Sequence, residues 1–281
     1  MEGIVSSSEK LPAQSGQNAA NPASTPDLAA IDALRHENFE LRRTLEALQG
    51  DLSSLRKDYE GFHKSFEVTI RQFVLASEYQ DNTIENHVRR IGKYTSIIAE
   101  KAGLSSSESE LIRMASPMHD VGKISVPHSI LFKPGRLTDD EFSVVKLHTV
   151  VGGRMLAHSR SRLLAKAREI ALSHHENWDG TGYPLRTRGR RIPLSGRIVG
   201  LVDMFDALTS SKAHKQPYPM DVAFDMIRAM RGKRFDPELV DTLQNNLDLF
   251  IRAKADIDTP DSIAGTEYAL SERDKAPSIV R

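Results

Sequence analysis

The chain has 281 residues, contains no cysteine, and balances 38 lysines and arginines against 38 aspartates and glutamates. This length suits one domain with a substantial core plus an appendage. The lack of cysteine excludes disulfides and thiolate metal sites, and the zero net charge gives no reason to expect broad binding to nucleic-acid polymers or membranes. No apolar run approaches the roughly 20 residues of a membrane helix, and the opening residues do not resemble a secretory signal, so we expect a cytoplasmic protein.

The N-terminal quarter of the sequence has two parts. Residues 1–27 are rich in small and polar types, with too few large apolar side chains to offset chain entropy, so we expect them to be disordered. Residues 28–73 follow a heptad pattern with mostly leucine at d and a single polar Asn38 among the a positions, which favours a parallel two-stranded coiled coil. We therefore expect a homodimer formed through 28–73. One long amphipathic helix folded back on its own domain is the alternative.

Residues 74–252 keep a helical period nearly throughout, and few segments alternate as strands do. Helix-ending signals occur at Gly103, Pro127 and Gly135, and Thr138 with Glu141 forms a capping-box pattern that opens a further helix. The fold class is therefore predicted to be all-α, a helical bundle whose helices project side chains into a common cleft. Residues 253–281 are predicted to form a flexible tail.

Seven potential metal ligands lie along this helical region. Neutral imidazole and carboxylate are the ligands that hold borderline divalent metals, and a carboxylate can also bridge two ions. Such a centre points to hydrolysis of phosphate esters with water as the nucleophile, although each histidine taken alone could be an ordinary polar residue on a helix flank. The seven are His87, His119, Asp120, His148, His174, His175 and Asp203.

Three segments carry a family resemblance: HDVGKISVPHSILFKPGRLTDDEF from His119, HHENWDGTGYP from His174, and VDMFDALTS from Val202. They resemble the HD-GYP family, a branch of the HD superfamily of metal-dependent phosphohydrolases whose members hydrolyse bacterial cyclic dinucleotides. The resemblance covers about 74–252 and implies an HD-type catalytic domain that converts cyclic di-GMP to linear pGpG, with further cleavage to GMP left open. A non-catalytic module that binds the nucleotide or a partner is the main alternative, and another HD-superfamily nucleotide phosphohydrolase is the next.

The resemblance also implies two divalent metal ions. His87, His119, Asp120 and Asp203 would hold one ion, and His148, His174 and His175 the other, with Asp120 bridging both. Because soft ligands are absent and imidazole is abundant, iron or manganese suits the set better than a closed zinc site. Some relatives bind a third ion through a glutamate four residues before the His87 position. In this chain that position is Thr83, a poor ligand, so we expect two ions.

Two residues have expected roles beside the metal centre. Lys123 follows Asp120 by three residues and should return toward the same helix face, where its cation could stabilise the charged phosphorane or protonate the leaving oxygen. An exposed lysine at a helix end is the alternative. Asp206 follows Asp203 by one helical turn and could orient a ligand imidazole, although a cap or surface role is as plausible.

The predicted substrate contacts come from two loops. Tyr183, in the glycine-rich loop 179–184, could stack on a base, and the resemblance implies that this loop also contacts a signalling-protein partner. Lys212 and Lys215 occupy positions where relatives carry an arginine and a lysine that hold phosphate. The match is imperfect, because lysine lacks the bidentate fork of arginine and Ala213 and His214 replace the usual proline and tyrosine.

Overall fold

The structure is a computed structural model that describes residues 27–77, 84–157, 159–211 and 216–259. These residues form ten α-helices and two 3₁₀ segments, without a β-strand, which confirms the predicted all-α class. The helices are α1 Leu28–Ser77, α2 Ile84–Lys101, α3 Ser106–Ala115, α4 His128–Leu131, α5 Asp139–Met155, α6 Arg162–Ser173, α7 Leu194–Thr209, α8 Met220–Ala229, α9 Pro237–Asn245 and α10 Leu247–Asp258, and the 3₁₀ segments are Ser116–Ser125 and Gly189–Arg191.

The chain divides into two compact units between Gly61 and Phe62, so α1 contributes to both. In the first unit the leucines at the predicted d positions are exposed, with Leu41, Leu48 and Leu55 at 60%, 57% and 66% of their accessible surface. Within the described part of this unit, residues 27–61, no other element covers this apolar stripe. The segment 1–26, most of the stretch predicted to be disordered, lies outside the described residues.

The end of α1 belongs to the second unit, which begins at Phe62, whereas the predicted coiled coil extends to residue 73. Val74 is fully buried, and Phe66 and Ile70 pack against the same core cluster. Glu67 forms an ion pair with Arg113 on α3. These side chains have partners inside the domain, and a heptad pattern cannot distinguish such packing from a coiled-coil seam because both bury one face of a helix.

The core of the second unit consists of two clusters. One is centred on Tyr94, Phe205 and Phe250, whose rings pack against one another with centroids 4.9 to 5.5 Å apart. The other joins the end of α1 to α3, the segment Ser116–Ser125 and α6. Helices α2 and α7 supply residues to both clusters, so the two helices that carry His87 and Asp203 are fixed from both sides.

Helix α10 continues to Asp258, six residues past the predicted domain end at residue 252. Ala253 and Ile257 are buried, and Asp258 lies 2.7 Å from Arg90 on α2. Residues 260–281 lie outside the described part. The predicted capping box is confirmed, since the Thr138 hydroxyl accepts from the Glu141 N–H and the Glu141 carboxylate accepts from the Thr138 N–H. Among the described residues, no helix is long and apolar enough to cross a lipid bilayer.

Candidate metal centre

The seven predicted ligands converge from five elements of the second unit. His87 lies on α2, His119 and Asp120 on the segment Ser116–Ser125, and Asp203 on α7. His148 is on α5, while His174 and His175 follow the last turn of α6. Their ligand atoms form two groups, each with all atoms within 4.8 Å of one another. The first group is Asp120, His148, His174 and His175, and the second group is His87, His119 and Asp203.

Asp120 lies between the two groups and presents one oxygen to each. Its Oδ1 is 3.2 Å from His148 Nε2 and 3.6 Å from His174 Nε2. Its Oδ2 is 3.2 Å from His119 Nε2, which in turn lies 3.8 Å from Asp203 Oδ1. This is the arrangement that a carboxylate needs to bridge two cations.

The orientation of three histidines is set by their own backbone. The Nδ1 atoms of His119, His148 and His174 lie 2.9, 2.7 and 3.1 Å from the carbonyl oxygens of residues 116, 145 and 170. Because a carbonyl only accepts, each Nδ1 carries the proton and each Nε2 presents a lone pair toward Asp120. Lone pairs that converge on a carboxylate repel one another unless a cation lies among them, so the residues fit a divalent metal.

His87 is oriented by a side chain rather than by the backbone. Its Nδ1 lies 2.7 Å from Asp206 Oδ2, as expected for an imidazole oriented by a carboxylate. Arg90 donates to both oxygens of Asp206, at 2.5 and 3.2 Å, and also to Asp258 at 2.7 Å. Burial opposes the ionisation of Asp206, but the hydrogen bonds from His87 and Arg90 outweigh it and lower the pKa of Asp206 to about 2.

Lys123 forms an ion pair with Asp120 and is half-buried at the edge of the first group. Burial favours the neutral acid, but the charge of Lys123 and the interaction with His119 outweigh it and hold the pKa of Asp120 well below its ordinary value. Burial also lowers the pKa values of His174 and His175, which favours the neutral imidazole that a metal ligand requires.

Glycine permits the close packing that brings Asp120 next to His148. A Cβ atom on Gly122 would lie 1.9 Å from the carbonyl oxygen of His148, a separation that no real side chain could adopt. The segment Ser116–Ser125 and α5 are therefore in backbone contact at this point. The residue two positions after Asp120 thus determines how near the two ligands can lie.

The glycine-rich loop lies against His175, and a buried carboxylate binds the backbone directly after the loop. The Tyr183 ring stacks on the His175 ring, with centroids 4.7 Å and planes 26° apart. The buried carboxylate of Glu176 accepts hydrogen bonds from the backbone N–H groups of Leu185 and Thr187, at 2.6 and 2.8 Å. Burial raises the pKa of Tyr183, so its phenol stays protonated at neutral pH. The loop therefore has a fixed path beside the first ligand group.

A family model described as HD domain matches residues 74–239, more than half of the chain. The chain belongs to the HD domain family. This result confirms the family expected from the motifs, and His119 with Asp120 is the adjacent His-Asp pair of this HD domain.

Curated relatives of this HD domain protein include enzymes named for cyclic dinucleotides. It is 39% identical over 241 residues to a cyclic di-GMP phosphodiesterase of Thermotoga maritima, covering 83% of this chain and 66% of the relative. It is 43% identical over 210 residues to the cyclic di-GMP phosphodiesterase response regulator RpfG of Xanthomonas campestris pv. campestris, covering 75% and 55%. It is 42% identical over 171 residues to 3'3'-cGAMP-specific phosphodiesterase 2 of Vibrio cholerae, covering 61% and 33%. The chain thus spans less than two thirds of the length of each of these relatives.

A solved structure shares the fold of this HD domain. The crystal structure of a cyclic GMP-AMP specific phosphodiesterase from V. cholerae superposes with a TM-score of 0.50 at 19% identity, covering 71% of this chain and 52% of the other. At this identity the likeness concerns the fold alone.

The predicted substrate contacts have different outcomes in this HD domain. Tyr183 lies beside the first ligand group, whereas Lys212 and Lys215 lie outside the described residues, as does Thr83. Glu85, two residues before His87 on α2, has its carboxylate 3.5 Å from Arg71 Nη1.

Sequence reasoning missed two residues that support the ligands. Glu176 stands inside the HHENWDGTGYP motif, so its place next to two ligands was a usable signal that it had a role. Arg90 gave no such signal, because its partners Asp206 and Asp258 are 116 and 168 residues away in sequence. Asp206, one helical turn after Asp203, is the supporting residue that the sequence spacing did suggest.

Proposed function

We propose that this chain is a metal-dependent phosphodiesterase that hydrolyses cyclic di-GMP to linear pGpG. The observation that carries the proposal is Asp120, whose two oxygens each lie 3.2 Å from a lone-pair nitrogen of a different ligand group. Such an arrangement suits a pair of ions that act together on a phosphodiester. The names of the relatives support a cyclic dinucleotide as the substrate class.

The proposed cofactors are two divalent ions, iron or manganese. Asp120, His148, His174 and His175 would hold one ion, and His87, His119 and Asp203, with Asp120, the other. Ions held there would supply the Lewis acidity that phosphodiester hydrolysis needs. Lys123 is placed to balance negative charge on the reacting phosphate once metal replaces it as the partner of Asp120. Tyr183 would stack on a base of the substrate, and Lys212 and Lys215 would bind its phosphates.

The test is product analysis with protein reconstituted anaerobically with iron or manganese. Cyclic di-GMP and 3'3'-cGAMP are supplied in parallel, because the relatives include enzymes named for each. We expect a linear dinucleotide from cyclic di-GMP, and a time course then shows whether GMP follows. A loaded protein that binds cyclic di-GMP but yields no linear product would instead support the regulatory-module alternative, against which the complete ligand set argues.

We also propose that residues 28–61 form a parallel dimeric coiled coil. The exposed leucines at d positions and the polar Asn38 at an a position support it. In the full-length protein, Leu48→Lys together with Leu55→Lys should give a monomer by light scattering, whereas Ala47→Lys, at an outward c position, should leave the dimer intact. A double variant that stays dimeric would place the interface elsewhere.

Two further proposals concern the setting of the protein. The glycine-rich loop 179–184 would offer a contact for a signalling-protein partner, since Thr181 is exposed at its tip. The absence of cysteine suits the reducing cytoplasm.

A further inference from the structure

Arg234 is a half-buried arginine with no anionic partner among the residues that the structure describes. Its guanidinium forms no salt bridge and no side-chain hydrogen bond with any residue that the structure describes. The guanidinium carbon lies over the Phe235 ring, 5.4 Å from the ring centroid. Burial lowers the pKa of Arg234, as expected for a cation that lacks compensation. A guanidinium is seldom withdrawn from water in this way unless something else satisfies its five donors.

The nearest comparable arginine behaves differently. Arg197 lines the same small cavity of about 10 Å³ as Arg234 and His174. It forms an ion pair with the buried Asp236 and donates to the carbonyl oxygen of Ile192 at 2.9 Å. The Asp236 carboxylate also accepts a hydrogen bond from the backbone N–H of Glu238, at 2.9 Å. The two buried carboxylates that line this cavity are therefore committed to other donors, since Glu176 accepts from the backbone N–H groups of Leu185 and Thr187.

Arg234 is held close to the metal centre by backbone contacts. Its carbonyl oxygen accepts from the Trp178 N–H at 3.0 Å, and the Lys233 carbonyl accepts from the Asp179 N–H at 2.9 Å. These bonds join the turn at Arg234 to the loop that directly follows His174 and His175. The position of Arg234 is thus fixed relative to two ligands of the first group.

Two residues of the candidate site, Asp203 and Tyr183, interact electrostatically with Arg234. After burial, the largest influence on the pKa of Arg234 is the charge of Asp203. The charge of Arg234 in turn opposes the effect of burial and of Asp120 on the pKa of Tyr183. This interaction accords with the backbone bonds and the shared cavity that bring Arg234 next to the first ligand group.

We propose that Arg234 binds a phosphate group of the substrate, as a bidentate donor at the edge of the metal centre. The planar fork of arginine matches two oxygens of a phosphate, which lysine cannot do. Arg234 would supply this geometry from the turn before α9, which follows Lys212 and Lys215 in sequence. The identity of the substrate as a cyclic dinucleotide rests on the proposed function, whereas the phosphate contact itself does not.

Steady-state kinetics of the metal-loaded protein with cyclic di-GMP test the proposal. Arg234→Gln should raise KM by about 10- to 100-fold and change kcat by less than about threefold, because one charge-assisted contact to a bound phosphate is lost. Arg234→Lys should have a KM between those of the wild type and Arg234→Gln, because lysine keeps the positive charge but lacks the planar fork of arginine. Arg231→Gln is the matched control: it removes the same charge from the same turn, at an exposed arginine paired with Asp241.

A thermal melt distinguishes binding from a structural role. Because Arg234 has no anionic partner among the described residues, Arg234→Gln should leave the melting temperature of the metal-loaded protein unchanged or higher. Loss of an arginine with a structural role would lower the melting temperature. An unchanged KM in Arg234→Gln, or an equal rise in Arg231→Gln, would overturn the proposal.

Titration calorimetry with inorganic phosphate separates this inference from the proposed function. Metal-loaded wild-type protein should bind phosphate, and Arg234→Gln should bind it about tenfold or more weakly. This result would support the role of Arg234 even if cyclic di-GMP proved not to be the substrate. Equal phosphate affinity in the two proteins, or no phosphate binding by the wild type, would reject the role whatever the kinetics show.

Discussion

The two ligand groups of the metal centre are oriented by different means. In the first group, His148 and His174 donate to carbonyl oxygens three and four residues earlier in their own chain segments. In the second group, His87 depends on Asp206 from α7, which depends in turn on Arg90. The orientation of His148 and His174, like that of His119 in the second group, is therefore local and survives most side-chain substitutions, whereas that of His87 is distributed over three helices. Substitutions should be able to weaken the second group alone.

Asp120 is the exception to this division, because it belongs to both groups. We expect Asp120→Ala to lower turnover by about 10³-fold or more, since it removes the only carboxylate among the described residues that lies between the two groups. Metal analysis should show weakened binding in both groups. The control is Asp140→Ala, which removes an exposed carboxylate from α5. Activity within tenfold of wild type in Asp120→Ala would show that the two groups do not act together.

Lys123 tests whether chemistry and metal binding can be separated at the first group. We expect Lys123→Gln to lower kcat by about 10²-fold, as for the loss of one preorganised cation beside a reacting phosphate. Metal affinity should stay the same or increase, because Lys123 competes with metal for Asp120. Lys133→Gln removes a similar half-buried lysine, paired with Glu141, and should change neither quantity. Loss of metal from Lys123→Gln would make the residue structural.

It should be possible to remove the contact that orients His87 without weakening metal binding by the first group. Asp206→Asn removes the charge that orients His87, and such changes typically weaken metal affinity by about 10- to 100-fold. We expect one ion to bind more weakly while the other is unaffected, as measured by competition with a chelator. Asp258→Asn is the control, because it takes one partner from Arg90 but leaves the contact between His87 and Asp206. Equal weakening of both ions would contradict the division into two groups.

What could be predicted from the sequence also depends on whether the contacting residues are close together or far apart in the chain. Motifs and helical period predicted the fold class, the capping box at Thr138 and the ligand types, because each depends on residues close together in sequence. The contact of Arg90 with Asp258 joins residues 168 positions apart, so the sequence placed the end of the domain before Asp258. The heptad pattern likewise could not reveal that Glu67 pairs with Arg113, because period alone does not identify the partner of an apolar face.

Glu176 should show the smallest effect, since it supports the loop over the first group rather than a ligand. Glu176→Gln replaces one of two accepting oxygens with an NH₂ that faces a backbone N–H, which typically costs about 1–3 kcal/mol when buried. We expect a lower melting temperature and a rise in KM of roughly tenfold at most, since Tyr183 loses its fixed path. Both ions should bind as in wild type, because His148 and His174 remain held by their own backbone. Glu238→Gln, an exposed glutamate that accepts from Arg190 in the stretch after the loop, should behave as wild type. Metal loss from Glu176→Gln would mean that the loop also helps to orient the first group, and that its support is less local than the carbonyl contacts indicate.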